Sequence, residues 1–194
     1  MKKQPELTAK TKQALVDAYF SIRGEGGRPT VRAITERAGY NRCTFYRYFT
    51  DTEALLAEVE SEICNAFQAV MTRLESDWTP AGIVELLAGV YERYGRLLAV
   101  LLGTYGDAQF TARMKTLAQP AAHRVFGEDS APEAAQVLRE EFALSAVLAT
   151  VTKWYEMGRP VTTAELGKII LDALQHGMIR LPPSAALAPA VGDS

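Results

Sequence analysis

Apolar residues recur along this chain at helical spacing, and no sustained alternation of apolar and polar positions marks a strand. Leu15, Ala18, Tyr19 and Ile22 stand at i, i+3, i+4 and i+7, which predicts a first helix over residues 7–23. "GEGGRP" ends it, since three glycines and a proline cannot continue a helix. Thr30 is a suitable N-cap for a short second helix over 31–38, with Val31, Ile34 and Ala38 inward. Gly39 stops that helix, because glycine takes the left-handed conformation at low cost. Asn41 predicts the cap of a third helix over 42–48, and Thr50 with Glu53 a capping box for a fourth. The fourth carries one apolar stripe, from Leu55 and Leu56 through Val59, Ile63, Phe67 and Val70 to Leu74.

Four further helices are expected. Thr79-Pro80 opens one that runs to about Gly103 with a kink near Gly95, as proline is favoured at a first helical position. "DAQFTARMKTLAQPAAHRVFG" is another, with Pro120 as a kink. Ser130 and Glu133 form a capping box for a helix over 132–157, which "GRPV" breaks. Thr162 and Glu165 form one for the last helix, 163–180, stopped by Pro182-Pro183. The tail "SAALAPAVGDS" lacks the material for a core and is expected to be disordered. The fold class is therefore all-α, with a three-helix unit over 1–50, a larger helical unit over 51–181 joined through the start of the long helix at 51–60, and a tail over 182–194.

Two short helices around a glycine corner describe a helix-turn-helix, whose second helix enters the major groove of DNA. Charge agrees with that assignment. Residues 1–50 carry ten Lys/Arg against four Asp/Glu, while residues 51–194 carry eleven against nineteen. A basic head on an acidic body suits a head that meets an anion. Arg42, Thr44 and Arg47 supply donors after the corner, and the Tyr46 and Tyr48 hydroxyls can reach phosphates. Phe45 and Phe49, four apart, are expected to face the small core against Ile34 and Tyr19.

Residues 10–60 resemble the DNA-binding domain of the TetR/AcrR family of transcriptional regulators. The stretch "VRAITERAGYNRCTFYRYFTDTEALL" follows the family pattern at Ala38, Gly39, Thr44, Tyr46, Phe49, Glu53 and Leu55. It departs at Thr52, where the family usually has a phosphate-binding Lys. A hydroxyl at a helix N-terminus still binds phosphate, with one charge contact fewer. The resemblance implies that Thr30 binds phosphate and that Arg42, Cys43 and Thr44 lie nearest base edges. It gives Tyr46 and Tyr48 to the DNA backbone, and Arg47 to backbone or base. Tyr46 has packing as its other reading. Arg42 suits guanine, whose two major-groove acceptors match a guanidinium fork. Cys43 has two readings, a small residue that allows close approach or a thiol that senses oxidants.

The resemblance also implies a homodimer, formed by pairing of the last two long helices and represented by Phe142, Val147, Val151, Leu166, Ile170 and Leu174. It implies a small-molecule effector in the body. Candidate pocket residues are Phe67, Met71, Tyr91, Tyr94, Leu98, Tyr105, Phe110, Met114, His123 and Trp154, against plain core as the other reading. The function implied is a repressor on a near-palindromic operator, released by that ligand. A second class stays open, a coactivator or adaptor whose body binds a partner protein.

Other chemistry is thin. His123 and His176 show no metal spacing, the carboxylates are scattered, and "GEGGRP" lacks the Lys-Ser/Thr of a phosphate loop, so neither an enzyme nor a cofactor is expected. No apolar run approaches the roughly 18 residues of a membrane span. "MKKQPELTAK" lacks the apolar segment of a signal peptide. Two cysteines, Cys43 and Cys64, make no disulfide framework and fit a reducing cytoplasm.

Overall fold

A computed structural model describes residues 3–76, 80–126 and 133–176. Over these it is all-helical: α1 (Lys3–Gly24), α2 (Val31–Ala38), α3 (Arg42–Tyr46), α4 (Thr52–Ser76), α5 (Pro80–Leu102), α6 (Ala108–Phe126), α7 (Glu133–Glu156) and α8 (Thr163–His176). The first three form a head, and α5 to α8 form a body. The long α4 closes the head with its first turns and continues between α5 and α6.

The head core follows the apolar spacing. Leu15 and Tyr19 of α1 meet Ile34 of α2, Phe45 of α3, Phe49 and Leu55 in one buried cluster. Phe45 is fully buried, its ring 5.6 Å from that of Phe49. Removing such a side chain from water contributes roughly 3 kcal/mol. The cluster continues without a break along Val59, Ile63 and Phe67 into the body, where it meets Leu98, Leu101, Phe110 and Met114. A second cluster joins α7 to α8 through Val151, Trp154 and Leu166.

Several local expectations need correction. α1 starts four residues earlier than expected, at Lys3. α3 is shorter, because Arg47 takes the C-cap position and Tyr48 and Phe49 turn back onto the Phe45 carbonyl. α4 is capped by Asp51, whose Oδ1 accepts from the Ala54 amide at 2.7 Å, whereas Thr50 only donates to Asp51 at 3.4 Å. A carboxylate is the stronger acceptor for a helix N-terminus, and here it stands one residue later than the predicted cap. By contrast, α6 runs through Pro120 to Phe126 over the extent expected for it.

The α8 capping box forms as expected: Glu165 Oε2 accepts from the Thr162 amide at 2.8 Å, and Thr162 Oγ1 accepts from the Glu165 amide at 3.2 Å. The predicted cap residues Thr79 and Ser130, and the tail from 182, lie outside the described residues.

Candidate nucleic-acid interface

The corner between α2 and α3 is built from backbone chemistry. Thr30 has extended geometry and its Oγ1 accepts from the Ala33 amide at 3.2 Å, which starts α2. Gly39 stands at φ +74°, a conformation strained for a residue with a Cβ, and the Tyr40 amide closes back on the Thr35 carbonyl at 2.9 Å. Two residues later, Asn41 Oδ1 accepts from both the amide and the hydroxyl of Thr44, at 2.8 and 3.1 Å. These caps fix the entry of α3 while Phe45 anchors its underside in the core.

What remains faces out. Arg42, Cys43, Tyr46 and Arg47 are exposed, Tyr46 at 58%, while Thr44 and Tyr48 are half-buried. The Tyr46 ring also meets that of Phe45 edge-on, with centroids 5.7 Å apart. Among the described residues no hydrogen bond or ion pair engages the side chains of Arg28, Arg42 or Arg47. Three other cations of the head are ion-paired. Arg32 bonds Glu36 at 2.7 Å, Arg37 bonds Glu25 at 2.7 Å, and Lys12 pairs with Glu58. The Arg37 hydrogen bond holds the Glu25 carboxyl below its ordinary pKa. Among the described residues, Arg28 just before α2, Arg42 and Arg47 on and after α3, and Lys10 on α1 carry positive charge outside any ion pair. Neither Arg28 nor Tyr40 stood out by spacing in the sequence, and Tyr40 is exposed inside the corner itself. Thr52 is half-buried at the first position of α4, and the neighbouring Asp51 carboxylate already occupies one of that helix's free amides.

The expected pocket residues divide. Phe67, Met71, Tyr91, Tyr94, Leu98, Phe110 and Met114 belong to the main cluster or pack on it. Tyr94 turns its hydroxyl outward, donating to Glu62 at 2.9 Å. Burial pushes the Tyr91 pKa up to about 12 and that of Tyr155 higher still, and their rings lie 6.0 Å apart. Trp154 is separate, in the α7–α8 cluster, with Nε1 donating to the Val161 carbonyl at 2.8 Å.

Two of the ten lie elsewhere. His123 is on the surface with Nδ1 2.8 Å from Glu140, because it sits on the outer side of the α6–α7 contact. Tyr105 follows α5 and rests on the head, 54% exposed.

The expected pairing face also changes. Val151 and Leu166 point inward onto Trp154, because α7 and α8 use that stripe to pack on each other within one chain. Phe142 is 72% exposed, and Val147, Ile170 and Leu174 are half-buried. Leu138 lies one turn before Phe142 and is equally open, with Val137 and Ile169 also exposed. Their i, i+4 spacing was the available signal, but it does not say which stripe faces a neighbour in the same chain.

Cys43 and Cys64 are free thiols. No helix among the described residues is long and apolar enough to cross a membrane, and no group of metal-ligating side chains occurs among them.

The model of bacterial regulatory proteins of the tetR family matches residues 26–59, which span the corner, α3 and the start of α4. The fold is that of several solved regulators. A TetR transcriptional regulator from Streptococcus agalactiae 2603V superposes with a TM-score of 0.60 at 23% identity, over 88% of this chain and 97% of that one. The fatty acid degradation regulator FadR from Bacillus halodurans gives 0.63 at 14% identity, over 92% and 98%. The TetR-like regulator LfrR from Mycobacterium smegmatis gives 0.56 at 18%, over 89% and 98%. Comparison with curated protein sequences finds no match. Residues 26–59 thus match the DNA-binding segment of the tetR family, and the chain shares the all-helical fold of these solved regulators.

Proposed function

We propose that this chain is a homodimeric transcriptional repressor that reads a near-palindromic DNA operator through α3 and releases it when a small molecule binds the body. The observation that carries the reading is the cluster of Arg42, Tyr46 and Arg47, exposed on a short helix whose entry is held by Gly39 and Asn41. Among the described residues, Arg42 and Arg47 make no ion pair. In this reading Arg42 takes a guanine edge and Cys43 and Thr44 sit close to bases. Arg47 meets a base or a phosphate, and Thr30, Tyr46, Tyr48 and Thr52 meet phosphates.

Pairing would place two such helices about one turn of DNA apart. The open apolar stripe of Leu138 and Phe142 on α7 supports it, since large exposed apolar residues one turn apart mark an association surface. Release would be a population shift: a ligand that prefers a wider spacing of the heads lowers DNA affinity in proportion to that preference. An adaptor would use the same stripe on a different protein.

Fluorescence anisotropy on the DNA upstream of the protein's own gene, beside a scrambled duplex, tests the reading. Tight binding to the first duplex alone, lost in Arg42→Ala, is the expected result. Equal and weak binding to both, carried by salt-sensitive attraction alone, would overturn an operator in that DNA and favour either an operator elsewhere or the adaptor. Light scattering at twice the chain mass checks the pairing.

A further inference from the structure

The head touches the body away from α4 at a junction that brings two distant segments together. Arg23, in the last turn of α1, donates from Nε to the Tyr105 carbonyl at 3.1 Å and from an Nη to the Tyr19 hydroxyl at 3.1 Å. The Tyr105 ring lies on Gly26: a Cβ built there would stand 2.9 Å from the ring and its hydroxyl. Gly26 also has φ +78°, so glycine serves both the turn and the close approach. These residues line an open cleft of about 310 Å³, completed by Gly27 and Pro29 of the head and Gly106 of the body.

A single continuous helix joins head to body as a strut, and one strut leaves the head free to swing about it. A second contact off the strut's axis removes that freedom. Arg23 and Tyr105 supply one, 82 residues apart in sequence. The continuous core and the approach of Gly24 to Val100 pack the inner side of this junction, while at its open edge, along the cleft, Arg23, Gly26 and Tyr105 make the contact.

We propose that Arg23, Gly26 and Tyr105 form a latch that sets the angle of the head on the body, and with it the spacing of operator half-sites that a pair of chains accepts. The inference rests on the reading of the chain as a paired DNA-binding regulator. The three are positioning residues, since the bases are read by α3.

Selection from a random double-stranded DNA library separates the two ideas. Wild type is expected to enrich two half-sites at one fixed spacing. Tyr105→Ala and Arg23→Gln should enrich the same half-site sequence over several neighbouring spacings, each base pair moving a half-site by about 3.4 Å. Tyr105→Phe keeps the ring on Gly26 and should restore the single spacing. General destabilisation would lower all binding without changing the spacing preference, and circular dichroism melts identify any variant that fails to fold. Should one of the two fail, the other carries the test. Variants that keep the wild-type spacing, or a wild type that enriches a lone half-site, overturn the latch. A wild type that enriches no sequence overturns the DNA reading itself.

Discussion

Thr52→Lys adds one cation per head at a defined place. Thr52 is the first residue of α4, and Asp51 beside it has already engaged the Ala54 amide, so the helix end offers a phosphate less than a free N-terminus would. On the proposed reading, a Lys at 52 gains a direct phosphate contact while the Asp51 carboxylate competes for it. Two unit charges about 4 Å apart in water attract by about 1 kcal/mol, so the gain at low salt is about fivefold per head. The sharper signature is salt dependence. Each added phosphate contact steepens the slope of log affinity against log salt by about 0.9, hence by about 1.8 for a pair. Between roughly 50 and 200 mM salt the variant should therefore lose about twelvefold more affinity than wild type. Anisotropy titrations across that range measure it, with Thr52→Gln as the neutral control of similar length. An unchanged slope would refute the reasoning, because it would mean that the start of α4 does not approach the DNA.

Three other outcomes are expected. Asn41→Ala removes the acceptor of the Thr44 amide and hydroxyl, and urea unfolding should show about 1 kcal/mol lost, with Asn41→Ser retaining most of it. Arg113→Met strands Glu60, which is buried with one carboxylate oxygen paired to Arg113 and the other unpartnered, and should cost about 2 kcal/mol, below the range for a fully buried pair because Arg113 is half exposed; an equal or smaller loss than in Glu60→Met would count against that account. Hydrogen bonds from the Thr162 amide and hydroxyl hold the Glu165 pKa below its ordinary 4.5, so this stabilisation is complete above pH 4.5 and disappears as pH falls through the folded-state value. The loss of thermal stability in acid should accordingly be smaller in Glu165→Gln than in wild type.

Local chemistry was legible in the sequence where both partners lie within a turn. Gly39, Asn41 and the Thr162–Glu165 box act where the residue spacing points. At the start of α4 three polar candidates stood in a row, and spacing alone favoured Thr50 over Asp51 although the carboxylate is the better acceptor. Long-range destinations were not legible. Tyr105 and His123 look like the other aromatic candidates in sequence, yet one rests on the head and the other on the surface. Val151 and Leu166 sit on apolar stripes that suit a partner chain as well as a neighbouring helix. Which of the two a stripe meets depends on the angle between α7 and α8, and that angle is set by Trp154 and the tight turn at Gly158.

The pairing of Lys12, Arg32 and Arg37 with carboxylates has a consequence for how the molecule approaches DNA. With those cations paired, Arg42 and Arg47 carry open positive charge on one edge of a basic head, and residues 51–194 carry an acidic excess. The molecule is an electric dipole as well as a net anion. In the field of a polyanion a dipole feels torque before it feels contact, over a range of about 8 Å at physiological salt. On the proposed reading, encounters that begin with the body forward are rotated or repelled, and those that survive arrive with the basic head leading. Orientation of the collision is thus selected by charge placement before any base is read.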